Sequence, residues 1–237
     1  MEQLFPTAEE HRIALLLHGA GGGGWEWNAW LPVFEERGWT VLSPSLQPAA
    51  EGIAATRFKE YRRQILALAS TQPAFRLAIV GASMGGLLAL SVSEALKPSA
   101  LILVNGVPPS GFGWNSKGDY PDVVRWSQGT IEETREAMPD SDESTVRLAF
   151  ERWRDESGAV LREIADGIEV SPPQCPVLIM AGELDQDIPA SVSRQVAQAY
   201  RADLLVYDRM SHVGPLLGTR AAKVARDAVD WLDDHVR

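Results

Sequence analysis

Six short apolar runs, Ile13–Leu17, Thr40–Ser43, Leu77–Gly81, Ala100–Asn105, Val177–Gly182 and Leu204–Tyr207, recur at intervals that leave room for one helix between neighbours. No other feature restricts the fold so strongly. A short run without polar alternation suits a strand buried on both faces, and such strands occur where helices cover both sides of a parallel sheet. The intervening segments supply those helices. Leu87–Leu96, Val192–Tyr200 and Ala221–Leu232 have helical spacing, with Val224, Ala228, Trp231 and Leu232 at i, i+4, i+7 and i+8. Arg57–Ser70 puts Phe58, Tyr61, Ile65 and Leu68 on one stripe, with Arg62 and Arg63 off it. The pattern predicts an α/β fold, doubly wound, with about six mostly parallel strands and helices on both faces. A chain of 237 residues folds this way as one domain, residues 1–237.

The rhythm breaks once. About 60 residues separate the runs that end near Val107 and resume after Ser171, far beyond an ordinary connection. Residues 107–170 therefore read as an inserted helical unit. Thr130 with Glu133, and Asp140 with Glu143, have the spacing of capping boxes, Pro139 separates the two helices, and Val146, Ala149, Phe150 and Trp153 follow at i, i+3, i+4 and i+7. Phe112, Trp114, Tyr120 and Trp126 add to the aromatic surface, so the insertion is expected to cover something. It carries 14 Asp and Glu against 7 Lys and Arg, which reads as a solvated outer face.

The net charge of −10 argues against nucleic acid and anionic membrane as partners, since both call for clustered Lys and Arg. No stretch has the length of a membrane span, and the acidic start MEQLFPTAEEHR precedes an apolar run too short for a secretory leader. A soluble, cytoplasmic protein acting on a small molecule is expected, with its oligomeric state left open. The single cysteine, Cys175, forms no internal disulfide and reads as a small hydrophobe before a strand.

Chemistry enters at Gly81-Ala82-Ser83-Met84-Gly85, a G-x-S-x-G segment where a strand-like run gives way to a helix-like one. That setting is the nucleophile elbow, which lifts a serine oxygen above the sheet at a helix N-terminus. A serine hydroxyl needs a base, and the base an orienting acid, following it along the chain. Of the four histidines only His212 and His235 follow Ser83, and His235 reads as a surface residue. His212 sits after the last run and is the candidate base. Glu183, Asp185 and Asp187 share one earlier loop and are the candidate acids. The segment HGAGGGGWEWNAW after the first run lacks the Lys, Ser or Thr of a phosphate loop, so neither cofactor nor metal is expected. It suits a loop whose backbone N–H groups approach a substrate oxygen, with Ala20 and Met84 as donors. His18 reads as a structural residue holding that loop.

Together these segments resemble the α/β-hydrolase superfamily, in HGxGG at His18–Gly22, the elbow at Gly81–Gly85, G-E-x-D at Gly182–Asp185 and the loop of His212. The resemblance selects Asp185 as the acid, three residues past the strand-end glycine, and makes 107–170 a helical cap roofing the pocket. It implies a serine hydrolase for a small, mostly apolar carboxylic ester or thioester. A C–C hydrolase or lyase with the same triad, or a non-catalytic binding protein, are the alternatives. Two segments depart from the family: the N-terminus is too short for two leading antiparallel strands, and SPSLQPAAEGIAAT replaces the usual loop after the second parallel strand.

Overall fold

The structure, a computed structural model, describes residues 11–71, 76–114 and 118–236. The acidic start before His11 lies outside them. The chain runs β1 (Arg12–Leu17), α1 (Leu31–Glu36), β2 (Trp39–Leu42), α2 (Phe58–Ser70), β3 (Arg76–Ala82), α3 (Met84–Leu96) and β4 (Ala100–Val104). After the insertion come β7 (Val177–Gly182), α7 (Ala190–Tyr200), β8 (Asp203–Tyr207), α8 (Gly214–Leu217) and α9 (Ala221–His235). Six strands form one sheet in the order β2-β1-β3-β4-β7-β8, every pair parallel. The order reverses between β1 and β3, so the crossovers lie on opposite faces and loops at the strands' C-terminal ends meet at one edge.

Successive side chains of a strand point to opposite faces, and the core divides accordingly. Ala14, Leu16, Val80, Ile102 and Met180 pack with Trp27, Trp30, Phe34 and the buried stripe of α9; Leu15, Leu17, Ile79, Leu103 and Ile179 pack with α2, α3 and α7. Each buried Val, Leu, Ile, Phe or Met side chain among these contributes about 1.5–3 kcal/mol. Continuous apolar runs are thus explained for the inner strands β1, β3, β4 and β7, which are covered on both faces, whereas the edge strands β2 and β8 keep exposed positions at Thr40, Asp203 and Leu205. No helix among the described residues is long and apolar enough to cross a membrane.

The insertion holds β5 (Val123–Val124), α4 (Ile131–Ala137), α5 (Glu143–Phe150), β6 (Glu156–Ser157) and α6 (Gly158–Asp166), with β5 and β6 paired antiparallel. The box of Thr130 and Glu133 forms: Thr130 Oγ1 accepts from Glu133 N–H at 3.2 Å, and Glu133 Oε2 accepts from Thr130 N–H at 2.7 Å. The second expected box does not. Asp142 caps α5 instead, accepting from Thr145 N–H at 2.8 Å, and Asp140 turns away toward Ser211. On the expected stripe Val146 and Ala149 are buried, but Phe150 is 38% exposed and Trp153 lies beyond the helix end. An eight-residue helix offers only two turns, so the stripe ends before it can bury all four side chains. The ladder and α6 are additions to the two helices read from the sequence.

Candidate active site

Strand β3 ends and α3 begins around Ser83, whose φ of 51° and ψ of −121° are strained for a side chain with Cβ. The turn is made possible by its glycines. A Cβ at Gly81 would stand 2.1 Å from Gly85 O, and one at Gly85 would stand 2.1 Å from Leu17 O, so neither site admits a larger residue. Strand and helix are thereby brought together with the serine at their junction. Ser83 N–H donates to Val104 O at 3.1 Å, and Ser83 O accepts from Gly86 N–H and Val107 N–H.

His212 follows β8, and its Nδ1–H donates to Asp185 Oδ2 at 2.8 Å. The Asp185 side chain is wholly buried. Its other oxygen, Oδ1, accepts from the N–H groups of Asp187 at 2.9 Å and Ile188 at 2.8 Å, so the loop after β7 orients the carboxylate. Burial lowers the His212 pKa, but the hydrogen bond and charge of Asp185, with a smaller push from Asp187, outweigh it and leave it raised. Of the other candidate acids, Glu183 is exposed, and Asp187 is exposed with Oδ2 3.9 Å from His212 Nε2. Among the described residues no hydrogen bond joins Ser83 Oγ to His212, a contact that commonly tightens only with substrate in place. Asp185, Asp187 and His212 have ligand atoms within 4.8 Å of one another, yet Asp185 already spends both oxygens on protein donors.

The glycine loop passes against the serine: a Cβ on Gly19 would lie 3.7 Å from Ser83 Oγ. Among the described residues no group accepts from Ala20 N–H. Met84, the other expected donor, is the first residue of α3. Beneath the loop His18 is buried, donating from Nδ1 to Gly19 O at 2.7 Å and accepting from Leu46 N–H at Nε2, 2.9 Å away. Both ring nitrogens are thus occupied, and burial pushes its pKa down to about 4. It stays neutral and braces the loop. The segment after β2, unassigned in the sequence, supplies Leu46 and so closes this edge. His235 is exposed and stacked on Trp231, and Cys175 is half-buried against the core with its thiol pKa pushed up by burial.

The profile of the alpha/beta hydrolase family matches residues 14–228, nearly the whole chain. This protein is an alpha/beta hydrolase. No curated protein matches its sequence significantly. Among solved structures, a methylesterase from Arabidopsis is similar at 20% identity with a TM-score of 0.73, covering 93% of this chain and 100% of that one. A pyrethroid hydrolase from Sphingobium faniae gives 19% and 0.72, covering 94% and 97%. Tomato methylketone synthase I, solved with 2-tridecanone, gives 15% and 0.74, covering 95% and 99%. At these identities the likeness speaks for the fold.

Four polar residues of this hydrolase to which sequence reasoning gave no part in the site reach the loops after β1, β7 and β8. Asn105, with φ of 43°, accepts from Gly182 N–H at Oδ1, 2.7 Å away, and donates from Nδ2 to His212 O at 2.7 Å. One amide therefore ties the loops of Asp185 and His212 to the end of β4. Asp140 of the insertion accepts from Ser211 Oγ–H at 2.5 Å and Ser211 N–H at 3.1 Å. Glu156 of the insertion accepts from Gly21 N–H at 3.1 Å. Glu26 is buried under the glycine loop, where Oε2 has no hydrogen-bond partner among the described residues and burial pushes the pKa up to about 8. Asp140 was expected only as a helix cap, and it, Asn105 and Glu156 act across roughly 70 to 135 residues of chain, beyond the reach of local sequence.

Proposed function

We propose that this chain is a serine hydrolase that cleaves a small, mostly apolar carboxylic ester or thioester through an acyl-enzyme. Ser83 Oγ attacks the carbonyl carbon while His212 Nε2 takes its proton, Asp185 holds the ring with Nδ1 protonated, and Ala20 and Met84 N–H groups receive the oxyanion. His212 returns the proton to the departing alcohol or thiol. It then deprotonates a water that attacks the acyl carbon, and release of the acid restores Ser83. No cofactor enters the scheme.

The observation that carries this reading is the buried Asp185 carboxylate on His212 Nδ1 at 2.8 Å. That contact fixes the tautomer whose free Nε2 can act as base, in the same molecule as a serine held at a strained strand-to-helix turn. The methylesterase function named for the Arabidopsis structure and the hydrolase function named for the Sphingobium one support this reading. Residues 107–170 act in this scheme as a cap, and Trp126, whose ring a Cβ on Gly21 would meet at 2.2 Å, supports an apolar group beside the loop. Hydrolysis of p-nitrophenyl acetate and butyrate by the wild type and by Ser83→Ala tests the proposal. Turnover by the first and none by the second is expected; equal rates would refute it.

A further inference from the structure

A carboxylate 3% exposed and offset from the serine calls for an explanation. Glu156 lies in β6 of the insertion, and its two oxygens take three hydrogen bonds. Oε1 accepts from Tyr61 O–H at 2.7 Å and Ser157 N–H at 2.7 Å, and Oε2 accepts from Gly21 N–H at 3.1 Å. Burying an ionised carboxyl is costly unless its lone pairs are filled, and here donors from α2, the insertion and the glycine loop fill them. Tyr61 O–H is held in the donor role, since burial and then the Glu156 charge push its pKa well above the ordinary tyrosine range.

The recipient of this carboxylate is not an arbitrary loop residue. Gly21 has φ of +69°, its N–H is fixed by Glu156, and its C=O accepts from Arg154 N–H at 2.8 Å. Both peptide planes flanking Gly21 are therefore held by the insertion, through residues two apart in sequence. The plane carrying the Gly21 N–H also carries the Ala20 C=O, so only the two torsions of Ala20 separate it from the Ala20 N–H. A glycine loop without these anchors would have many conformers, and only a few aim that N–H at a point above Ser83.

We infer that Glu156 is a positioning residue for the reaction, with Tyr61 as its support: the insertion sets the direction of the Ala20 N–H by gripping Gly21. This rests on the ester-hydrolase reading and deepens it. An oxyanion donor acts on the transition state more than on the bound ester, so its misalignment lowers kcat and leaves KM nearly unchanged. A latch that served only to hold the insertion on the core would instead change the melting temperature or KM.

The test uses the full chain as Glu156→Gln and Tyr61→Phe, with p-nitrophenyl butyrate as substrate and an alkyl trifluoromethyl ketone as oxyanion mimic. For Glu156→Gln, whose one carbonyl cannot serve all three donors, kcat should fall about 10- to 100-fold with KM within about twofold. The inhibition constant of the ketone should rise by a similar factor. Tyr61→Phe should fall in the same sense by about threefold to fivefold, and it decides the matter if Glu156→Gln fails to fold. Folded variants with kcat and ketone inhibition within about twofold of wild type would overturn the inference, as would a change confined to KM or to the melting temperature. Wild type that neither turns over the ester nor binds the ketone would overturn the hydrolase reading, and this inference with it.

Discussion

The sheet and the insertion both reach the site, but by opposite means. Strands β3, β7 and β8 end in loops that present side chains directly: Ser83, Asp185 and His212. The insertion presents carboxylates that grip backbone N–H groups, Asp140 on Ser211 in the loop after β8 and Glu156 on Gly21 in the loop after β1. The difference follows from what each region buries. Strands covered on both faces are held by apolar packing along their whole length and can afford strain at their ends. Much of the insertion is exposed, and it is docked through patches such as Val146 and Ala149 together with a few buried polar contacts. Its influence on the site is therefore concentrated in single hydrogen bonds.

That contrast can be tested from both sides. Removing the ring that the sheet presents should have the largest effect: His212→Ala should lower kcat/KM by about 10⁴-fold or more with little change in melting temperature. Asp185→Asn should cost about 10³- to 10⁴-fold and also move the pH profile. In the proposed scheme His212 is a base only when neutral, and its folded pKa is raised, so wild-type kcat/KM should fall as pH drops through that raised value. Without the Asp185 charge the acid limb should shift to lower pH; a limb that stays in place would contradict the assignment.

Within the sheet but away from its ends, Ile79→Ala should lower stability by about 2–5 kcal/mol, read by denaturant unfolding, with kcat at 25 °C within about twofold of wild type. The insertion should show the converse. Asp140→Asn keeps one acceptor for Ser211 and loses the other, so kcat should fall about tenfold while stability changes by roughly 1 kcal/mol. If Asp140→Asn mainly destabilised the protein and Ile79→Ala mainly slowed it, the two regions would have been read the wrong way round.

The smallest effect concerns Glu26, whose pKa is about 8 when folded against 4.5 as the reference. Between those values the folded state holds a proton that the unfolded chain has released, so the stability of the wild type declines as pH rises across the window. Glu26→Gln should therefore melt a few degrees above wild type at pH 8, with the gap shrinking toward pH 5. An equal gap at both pH values would place the residue in solvent contact.

Much of the sheet was legible because near-full burial of β1, β3, β4 and β7 leaves no alternation, and the apolar runs at the edges, Thr40–Ser43 and Leu204–Tyr207, also fall on strands. The elbow was legible because only glycine fits at Gly81 and Gly85. Glu183, Asp185 and Asp187 offer the same chemistry in sequence, and what sets Asp185 apart, its burial and its contact with His212 Nδ1, is made by the fold. The insertion was read less well, for physical reasons. Asp140 and Glu143 share the spacing of a capping box, but Asp142 Oδ1 accepts the Thr145 N–H at the helix start, and Asp140 accepts from Ser211 instead. Phe150 continues a stripe that the helix is too short to bury. Asn105 carries no titratable group to mark it in the sequence; its amide supplies both a donor and an acceptor, which a carboxylate could not do. Its partners at residues 182, 211 and 212 are set by the fold rather than by local sequence.

The central claim is that Ser83 is an activated nucleophile. Intact mass after brief exposure to an alkyl fluorophosphonate addresses it most directly, for the wild type, Ser83→Ala and His212→Ala at equal concentration. A single phosphonyl adduct on the wild type, none on Ser83→Ala and markedly slower addition to His212→Ala is the predicted result. Folded wild type that gains no adduct, or an adduct that persists in Ser83→Ala, would contradict the account.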